Sequence, residues 1–432
     1  MGLGNIMYGW ACDLFPINRS LTGNGVRKTL NYIKEILPEL QIKEVNSGDN
    51  YFDWKIPKEW DITEAYIEDE NGNIIVDFID NNLHVMGYSL PIDLYLTLEE
   101  LNPHIYSLVD LPDAIPYITS YYEENWGFCM SQNQRDTLKE GMYHVVIKSR
   151  LFDGVMNYGE IVLSGKSDKE ILLSTYICHP SMANNEISGP VVTIQLVKWL
   201  KEIKNKNYTY RIIFIPETIG AIVYLAKDDM YKHLSKNVIA GFQITCVGDN
   251  NSISFMPSRY GNTYADAVAR YVLDNSNNSY LEFSFLDRAS DERQWCSPGI
   301  DLPVVSLMRT KYGEYEEYHT SLDNLNYISK EGLELGYLNI KNCLDIIEQN
   351  CVYKLLILGE PQLGKRNLYP TISMVGSKFK TKAMMNVLAY SDGKNSVLDI
   401  AKIIKVEFKE VLRISKMFEN IEILKKLEYF EK

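Results

Sequence analysis

Apolar and polar positions change period several times along this chain. In Gly25–Leu37 the residues Val26, Leu30, Ile33 and Leu37 share one face at helical spacing, and Ser20, Thr22 and Asn24 precede them as N-cap candidates. From about residue 45 the period shortens: Trp54–Pro57, Ala65–Asp69, Ile74–Ile79 and Leu83–Ser89 surround an Asn71-Gly72 turn, which predicts a small β-rich module. Between about 115 and 350 strand-like runs alternate with helical patterns, as in a parallel or mixed α/β sheet. Within it, Glu170–Cys178 and Arg211–Ile215 are apolar runs, with Val191, Ile194, Leu196, Val197 and Leu200 at helical spacing between them. After Tyr353–Pro361 and a Gly/Pro-bearing connector, Ser396 caps a helix carrying Leu398, Ile400, Ala401, Ile403 and Ile404. A second helix with Val411, Leu412, Ile414, Met417, Phe418 and Ile421 follows, then a terminal apolar stretch from Ile423 to Leu427, the layout of a winged helix.

The fold class read from these patterns is α/β. A sheet flanked by helices spans 1–45 and 115–352, a β-rich insert occupies 46–114, and a winged-helix-like domain occupies 355–432. Composition narrows the setting. A chain of 432 residues with 46% hydrophobic content is long enough for two or three domains. A net charge of −13 argues against a broad nucleic-acid or anionic-membrane surface. The start lacks a charged segment followed by an apolar core, and no apolar stretch approaches the roughly 20 residues that span a bilayer, so neither a signal peptide nor a membrane anchor is expected. Seven scattered cysteines, odd in number and without paired spacing, point to a reducing cytoplasm and no disulfide framework. Over residues 391–432 nine Lys/Arg oppose eight Asp/Glu, which is no footprint for DNA. That module is instead expected to pack on the α/β domain or on a second copy of the chain, burying Leu412 and Phe418, and a homo-oligomer is compatible with the pattern.

Chemistry concentrates where the predicted strands run out. His179 follows the first apolar run, and Glu186 lies seven residues on. Pro216-Glu217-Thr218-Ile219-Gly220 follows the second, and Ser290-Asp291-Glu292 and Tyr318-His319-Thr320 come later. Carboxyl ends of strands in open α/β sheets form the crevice where ligands bind, so these groups can converge. Two imidazoles and carboxylates with one further Glu are what a hydrolytic zinc site needs. The plainer readings stand beside this one. Glu186 is also a favourable first-turn helix residue, Asp291 and Asp323 are also plausible caps, and His84, His104, His144 and His233 sit in structural or exposed contexts.

These strings resemble the zinc aminopeptidases of the leucine-aminopeptidase and glutaminyl-cyclase superfamily. They are more similar still to a bacterial aminopeptidase-like family of unknown function, in which a zinc-exopeptidase-like domain carries an inserted β-module and a C-terminal winged helix. Asp13-Leu-Phe-Pro-Ile-Asn-Arg-Ser-Leu-Thr-Gly23 and Phe52-Asp-Trp-Lys-Ile-Pro57 match segments of that family. The resemblance implies His179 as first zinc ligand, Glu217 as general base and His319 as last ligand. It also marks departures: Asn185 stands where the wider family has a bridging Asp, Thr218 where it has a ligand Glu, Glu292 where it has a His, and Asp249 comes late for the remaining Asp. One zinc ion is therefore the economical expectation, held by His179, Glu186 or Asp291, and His319, with a pair left open. Tyr318 or Arg309 would bind the substrate terminus or the oxyanion. The activity implied is a metal-dependent aminopeptidase or related amide hydrolase acting on a peptide or on an amide of a sugar precursor. The rival is a degenerate peptidase fold that binds a ligand and signals through its winged helix.

Overall fold

The computed structural model describes residues 2–276, 278–366, 368 and 375–427. Part of the Gly/Pro-bearing connector and the last five residues lie outside this set.

A mixed eight-stranded sheet organises the larger unit. Its spatial order is Gln41–Asn46, Val155–Leu163, Tyr208–Ile215, Ser167–Tyr176, Val238–Gln243, Val304–Met308, Ser254–Met256 and Leu281–Glu282. The four middle strands are mutually parallel, whereas both flanks join them antiparallel. The parallel core explains the unbroken apolar run in Ile171–Leu173 and Ile212–Ile215, since strands covered by helices on both faces have no solvent side to mark with polar residues. Helix Ser188–Glu202 carries the chain from Ser167–Tyr176 to Tyr208–Ile215, and its neighbour in the sheet on the other side comes later, at Val238–Gln243. Strand order therefore reverses at Ser167–Tyr176, and a crevice opens beyond its carboxyl end. Gly189 lets the helix start press onto the sheet, because a Cβ there would stand 2.4 Å from both the Ile244 carbonyl oxygen and Thr175 Oγ1. Each large apolar side chain buried in this core contributes about 1.5–3 kcal/mol, so the sheet has no need of a bound ion to fold.

A second sheet in the same unit is antiparallel throughout, ordered Ile74–Asp77, Glu59–Asp69, Met142–Phe152, Ile92–Thr97. Its longest pairing reaches past the 46–114 segment expected from sequence. Met142–Phe152 lies after the predicted return to the α/β domain, and it closes the β-rich module by burying Tyr143, Val145 and Ile147 against Ala65 and Ile67.

The C-terminal unit is a winged helix. Helices Val375–Tyr390, Val397–Ile404 and Phe408–Asn420 pack with a three-stranded sheet ordered Asp392–Ser396, Val352–Leu355, Leu424–Leu427. Ser396 and Asp399 form the reciprocal cap that starts its middle helix. Leu412 and Phe418 are buried. No helix among the described residues is long and apolar enough to cross a membrane, and the seven cysteines are unpaired.

Candidate active site

The strand ends bring His179 and Glu217 together. Ser167–Tyr176 and Tyr208–Ile215 run side by side, and Nε2 of His179 lies 3.7 Å from Oε2 of Glu217. The other face of the imidazole is held: Nδ1 is 2.9 Å from Glu186 Oε2. Glu186 is carried by a single π-helical turn, Ala183–Ile187, buried along its whole length. Asp323 fixes that turn by accepting the backbone N–H groups of Asn184 (2.6 Å) and Asn185 (2.9 Å).

Behind Glu186 stands a residue the sequence did not single out. Arg19 is 2% exposed, its Nε is 3.5 Å from Glu186 Oε1, and it donates to the carbonyl oxygens of His179 (3.0 Å) and Leu14 (2.7 Å). It lies inside the Asp13–Gly23 segment quoted above, but no pattern in that segment says where its guanidinium goes.

Glu217 is aimed by backbone strain. Thr218 has φ 64° and ψ −71°, and Ile219 donates to the Glu217 carbonyl oxygen at 2.7 Å, a tight three-residue turn that costs a β-branched residue about 1–3 kcal/mol. Two bonds hold it: Thr218 N–H donates to Asp291 Oδ1 at 2.7 Å, and Arg293 Nη2 donates to Thr218 Oγ1 at 2.7 Å. Thr218 itself brings a neutral side chain to the cleft.

His319 arrives from the far end of the chain, also with positive φ (56°). Its ring centroid is 5.5 Å from that of His179, and Tyr318 stacks on it at 3.9 Å. The loop is pinned by a short antiparallel contact, in which Tyr117 N–H donates to the His319 carbonyl oxygen and Ser321 N–H to that of Ile115 (both 2.9 Å). The same contact places the Tyr117 ring 5.3 Å from both imidazoles. Tyr117, Tyr121 and the exposed rings of Trp54 and Tyr122 wall a cleft of about 380 Å³, with His179, Glu217, Thr218, Arg293 and His319 facing into it. None of these aromatic wall residues was legible as functional, because the chain reaches the cleft there through loops and, at Trp54, a two-residue strand.

The remaining sequence candidates separate. Asp291 is fully buried beside Thr218, with Oδ2 lacking any hydrogen-bond partner. Arg309 does not line the cleft: it is 5% exposed, its Nε donates to the Asp249 carbonyl oxygen at 2.8 Å, and its own N–H donates to the Cys246 carbonyl oxygen. A basic residue just past a buried strand reads alike whether it reaches substrate or folds back onto a carbonyl, and here it folds back. Tyr318 reaches the cleft only through its stacking on His319. Asp249 is a structural acceptor for Thr310, Asn251 and Asn184. The other four histidines bond elsewhere: His84 to the Cys129 carbonyl, His104 to that of Trp126, His144 to Asp93 and His233 to Glu170.

Electrostatics divide the two site imidazoles. Burial opposes charge on His179, yet Cys178 and the Glu186 carboxylate outweigh it and hold its pKa well above the ordinary value. Burial and the neighbouring His179 charge push His319 down to about 3, so it is neutral. Burial raises the carboxyls of both Glu217 and Asp291; the charge on His179 opposes the rise at Glu217, while the Glu217 charge adds to that of Asp291, which is held well above the usual range.

A zinc ion fits these residues by donor type. The buried Oδ2 of Asp291 has no partner, no hydrogen bond occupies the ring of neutral His319 among the described residues, and two crowded carboxyls would gain from a cation. Glu186 sits differently, on the Nδ1 side of His179, where carboxylates commonly orient a metal-bound imidazole. Cys178, His179 and Glu186 also offer ligand atoms within 4.8 Å of one another.

Comparison with known proteins agrees with this architecture. Residues 8–350 match the family described as a domain of unknown function (DUF4910), and residues 351–426 match a winged helix-turn-helix family. A Clostridium acetobutylicum protein is 44% identical over 98% of this chain and 96% of its own length, and is provisionally named a polysaccharide biosynthesis protein with an aminopeptidase-like domain. A solved C. acetobutylicum structure, provisionally a peptidase, superposes with a TM-score of 0.92 at 43% identity, covering 98% of this chain and 96% of that one. A zinc aminopeptidase from Bacillus subtilis shares the fold at 13% identity, with a TM-score of 0.57 over 80% of this chain and 94% of its own.

Proposed function

The chain belongs to the DUF4910 family, with an aminopeptidase-like fold and a C-terminal winged helix, and from that premise we propose that it is a metal-dependent amide hydrolase of the aminopeptidase type. The observation that carries the reading is the pairing of Glu217 with His179 at adjacent strand ends, beside His319 and an unpartnered Asp291 oxygen.

His179, His319 and Asp291 would hold one zinc ion, which when bound supplies carbonyl polarisation and a water of lowered pKa. Glu186 and Arg19 orient His179 through Nδ1. Glu217 takes a proton from the attacking water at its Oε atoms and gives it to the leaving amine, a role suited to a carboxyl that burial holds above its ordinary value. The strained turn at Thr218 keeps that carboxylate in the cleft, and the tyrosine wall limits water around it. The substrate class is a peptide or an amide on a sugar precursor, the latter in keeping with the polysaccharide-biosynthesis name of the C. acetobutylicum relative.

Glu217→Gln tests this. It should retain zinc and lose turnover of aminoacyl and acetylamino substrates by about 10² or more. Loss of zinc in the same variant would make Glu217 a ligand and leave the base unassigned.

A second reading has its own support. Asn185 and Thr218 are neutral where the resemblance leads one to expect metal-binding carboxylates, and Asn185 Oδ1 is already taken by Tyr176 O–H at 3.0 Å. A ligand-binding protein acting through its winged helix would bind no zinc and be indifferent to Glu217→Gln. The near balance of charge over residues 391–432 argues against DNA as the target of such a device.

A further inference from the structure

A second cavity, of about 530 Å³, opens beside the reaction cleft, and Arg293 lines both. Its walls come from 257–261, 284–288 and 293–298, and they present three arginines: Arg259, Arg288 and Arg293. In a chain of net charge −13 three arginines around one cavity are a local concentration of basic groups.

The carboxylates nearby are turned largely to other partners. Arg259 pairs with Asp301. Arg288 is exposed, stacks over the Phe285 ring at 4.8 Å and, among the described residues, donates only to the Phe285 carbonyl oxygen. Arg293 donates to the Ser290 carbonyl oxygen and to Thr218 Oγ1, both neutral. Asp287 is used by the Ser284 N–H, Glu292 is buried and accepts from Ala289, Ser290 and Tyr312, and Asp266 lies behind the wall accepting from Ser258 and Thr263. Arg288 thus has no carboxylate partner among the described residues, and Arg293, though it feels Glu217 and Asp291, spends its hydrogen bonds on neutral atoms. With Arg259 they bring several forked N–H donors to one cavity, which suits the three oxygens of a phosphoryl group better than the two of a single carboxylate. The Arg259 ring partner, Tyr260, and Phe285 hold two of these groups over aromatic faces, which limits their freedom without neutralising them.

We infer that this cavity is a subsite for a phosphoryl group carried by the substrate, adjoining the reaction cleft through Arg293. The inference rests on the hydrolase reading for the word substrate. Its geometric side is independent: Arg293 is bonded to Thr218, the residue next to Glu217, so an anion held there lies alongside the proposed point of cleavage.

The test uses the full chain stripped of metal with chelator, so that an ion in the cleft cannot bind the probe. Inorganic phosphate and pyrophosphate are titrated by calorimetry and by phosphorus NMR, with succinate as a carboxylate control. Wild type should bind both phosphates and bind succinate much more weakly. Arg259→Gln and Arg288→Gln should each weaken phosphate binding about tenfold or more, with unchanged melting, while Glu217→Gln leaves it intact. Absence of phosphate binding in wild type, equal binding of succinate, or full affinity in the double arginine variant would each overturn the subsite. Phosphate binding that depends on the arginines in a protein without amide hydrolysis would uphold the subsite and remove the hydrolase reading alone.

Discussion

Replacing Arg19 with Met probes the buried pair on which His179 rests. Both side chains are 1% exposed, so water cannot substitute for the lost charge. Removing one member of a buried pair typically costs about 3–5 kcal/mol, because the partner remains charged and uncompensated. The His179 and Leu14 carbonyl oxygens also lose their donors, about 1 kcal/mol each, which burial of the Met side chain roughly offsets. A net loss of about 3–5 kcal/mol corresponds to roughly 4–7 °C in the melting of so large a unit. Urea and heat melts followed by tryptophan fluorescence measure it, and Arg19→Met combined with Glu186→Gln is the decisive control. Neutralising both partners should recover at least half of the loss, since the penalty lies in the stranded carboxylate. A single variant that melts within about 2 °C of wild type, or a double variant no better than the single, would refute the claim that Arg19 and Glu186 form a dependent pair.

Two further outcomes follow from the site. His179→Ala and His319→Ala should each abolish stoichiometric zinc by elemental mass spectrometry while keeping near-wild-type circular dichroism, because the sheet is folded by its apolar core; full zinc occupancy in both would sink the metal centre. Burial pushes Asp323 up to about 6 from 3.8. The sign is that of a raised carboxyl: its stabilisation is complete below 3.8 and is lost as pH rises through about 6, on the order of 3 kcal/mol in all. The stability of wild type minus that of Asp323→Asn should therefore grow by that amount between pH 7 and 4, and parallel curves would contradict it.

The sequence carried the outline of the site better than its interior. His179 and Glu217 were legible because polar residues at the ends of apolar parallel strands have few structural reasons to be there, and His319 because it shares that small-polar context. Arg19, Arg293 and the tyrosine wall were not, since their places depend on loops folding over one another at long range, and periodicity says nothing about loops. Arg309 misled for the reason already given, its side chain turning inward to Asp249. Glu186 was read as a metal ligand, and only coordinates could show it on the Nδ1 side of His179 with a cation behind it. Met142–Phe152 has strand character in any reading. Which sheet it joins is set by partners 80 residues or so away in Glu59–Asp69, which no local pattern encodes.

The contact between 115–117 and 319–321 has a consequence for how the protein matures. Ile115 and Ser321 are separated by 206 positions, and their pairing is what seats His319 against Tyr117. Closing so long a loop is slow and cannot begin until the later segment has left the ribosome. The strand-end residues His179 and Glu217 can be in place well before that, but they face an open cleft without its second imidazole. Completion of the cleft is thus tied to the arrival of 319–321 rather than to folding of the sheet, and a nascent or truncated product ending before residue 319 carries half of that cleft under an intact core.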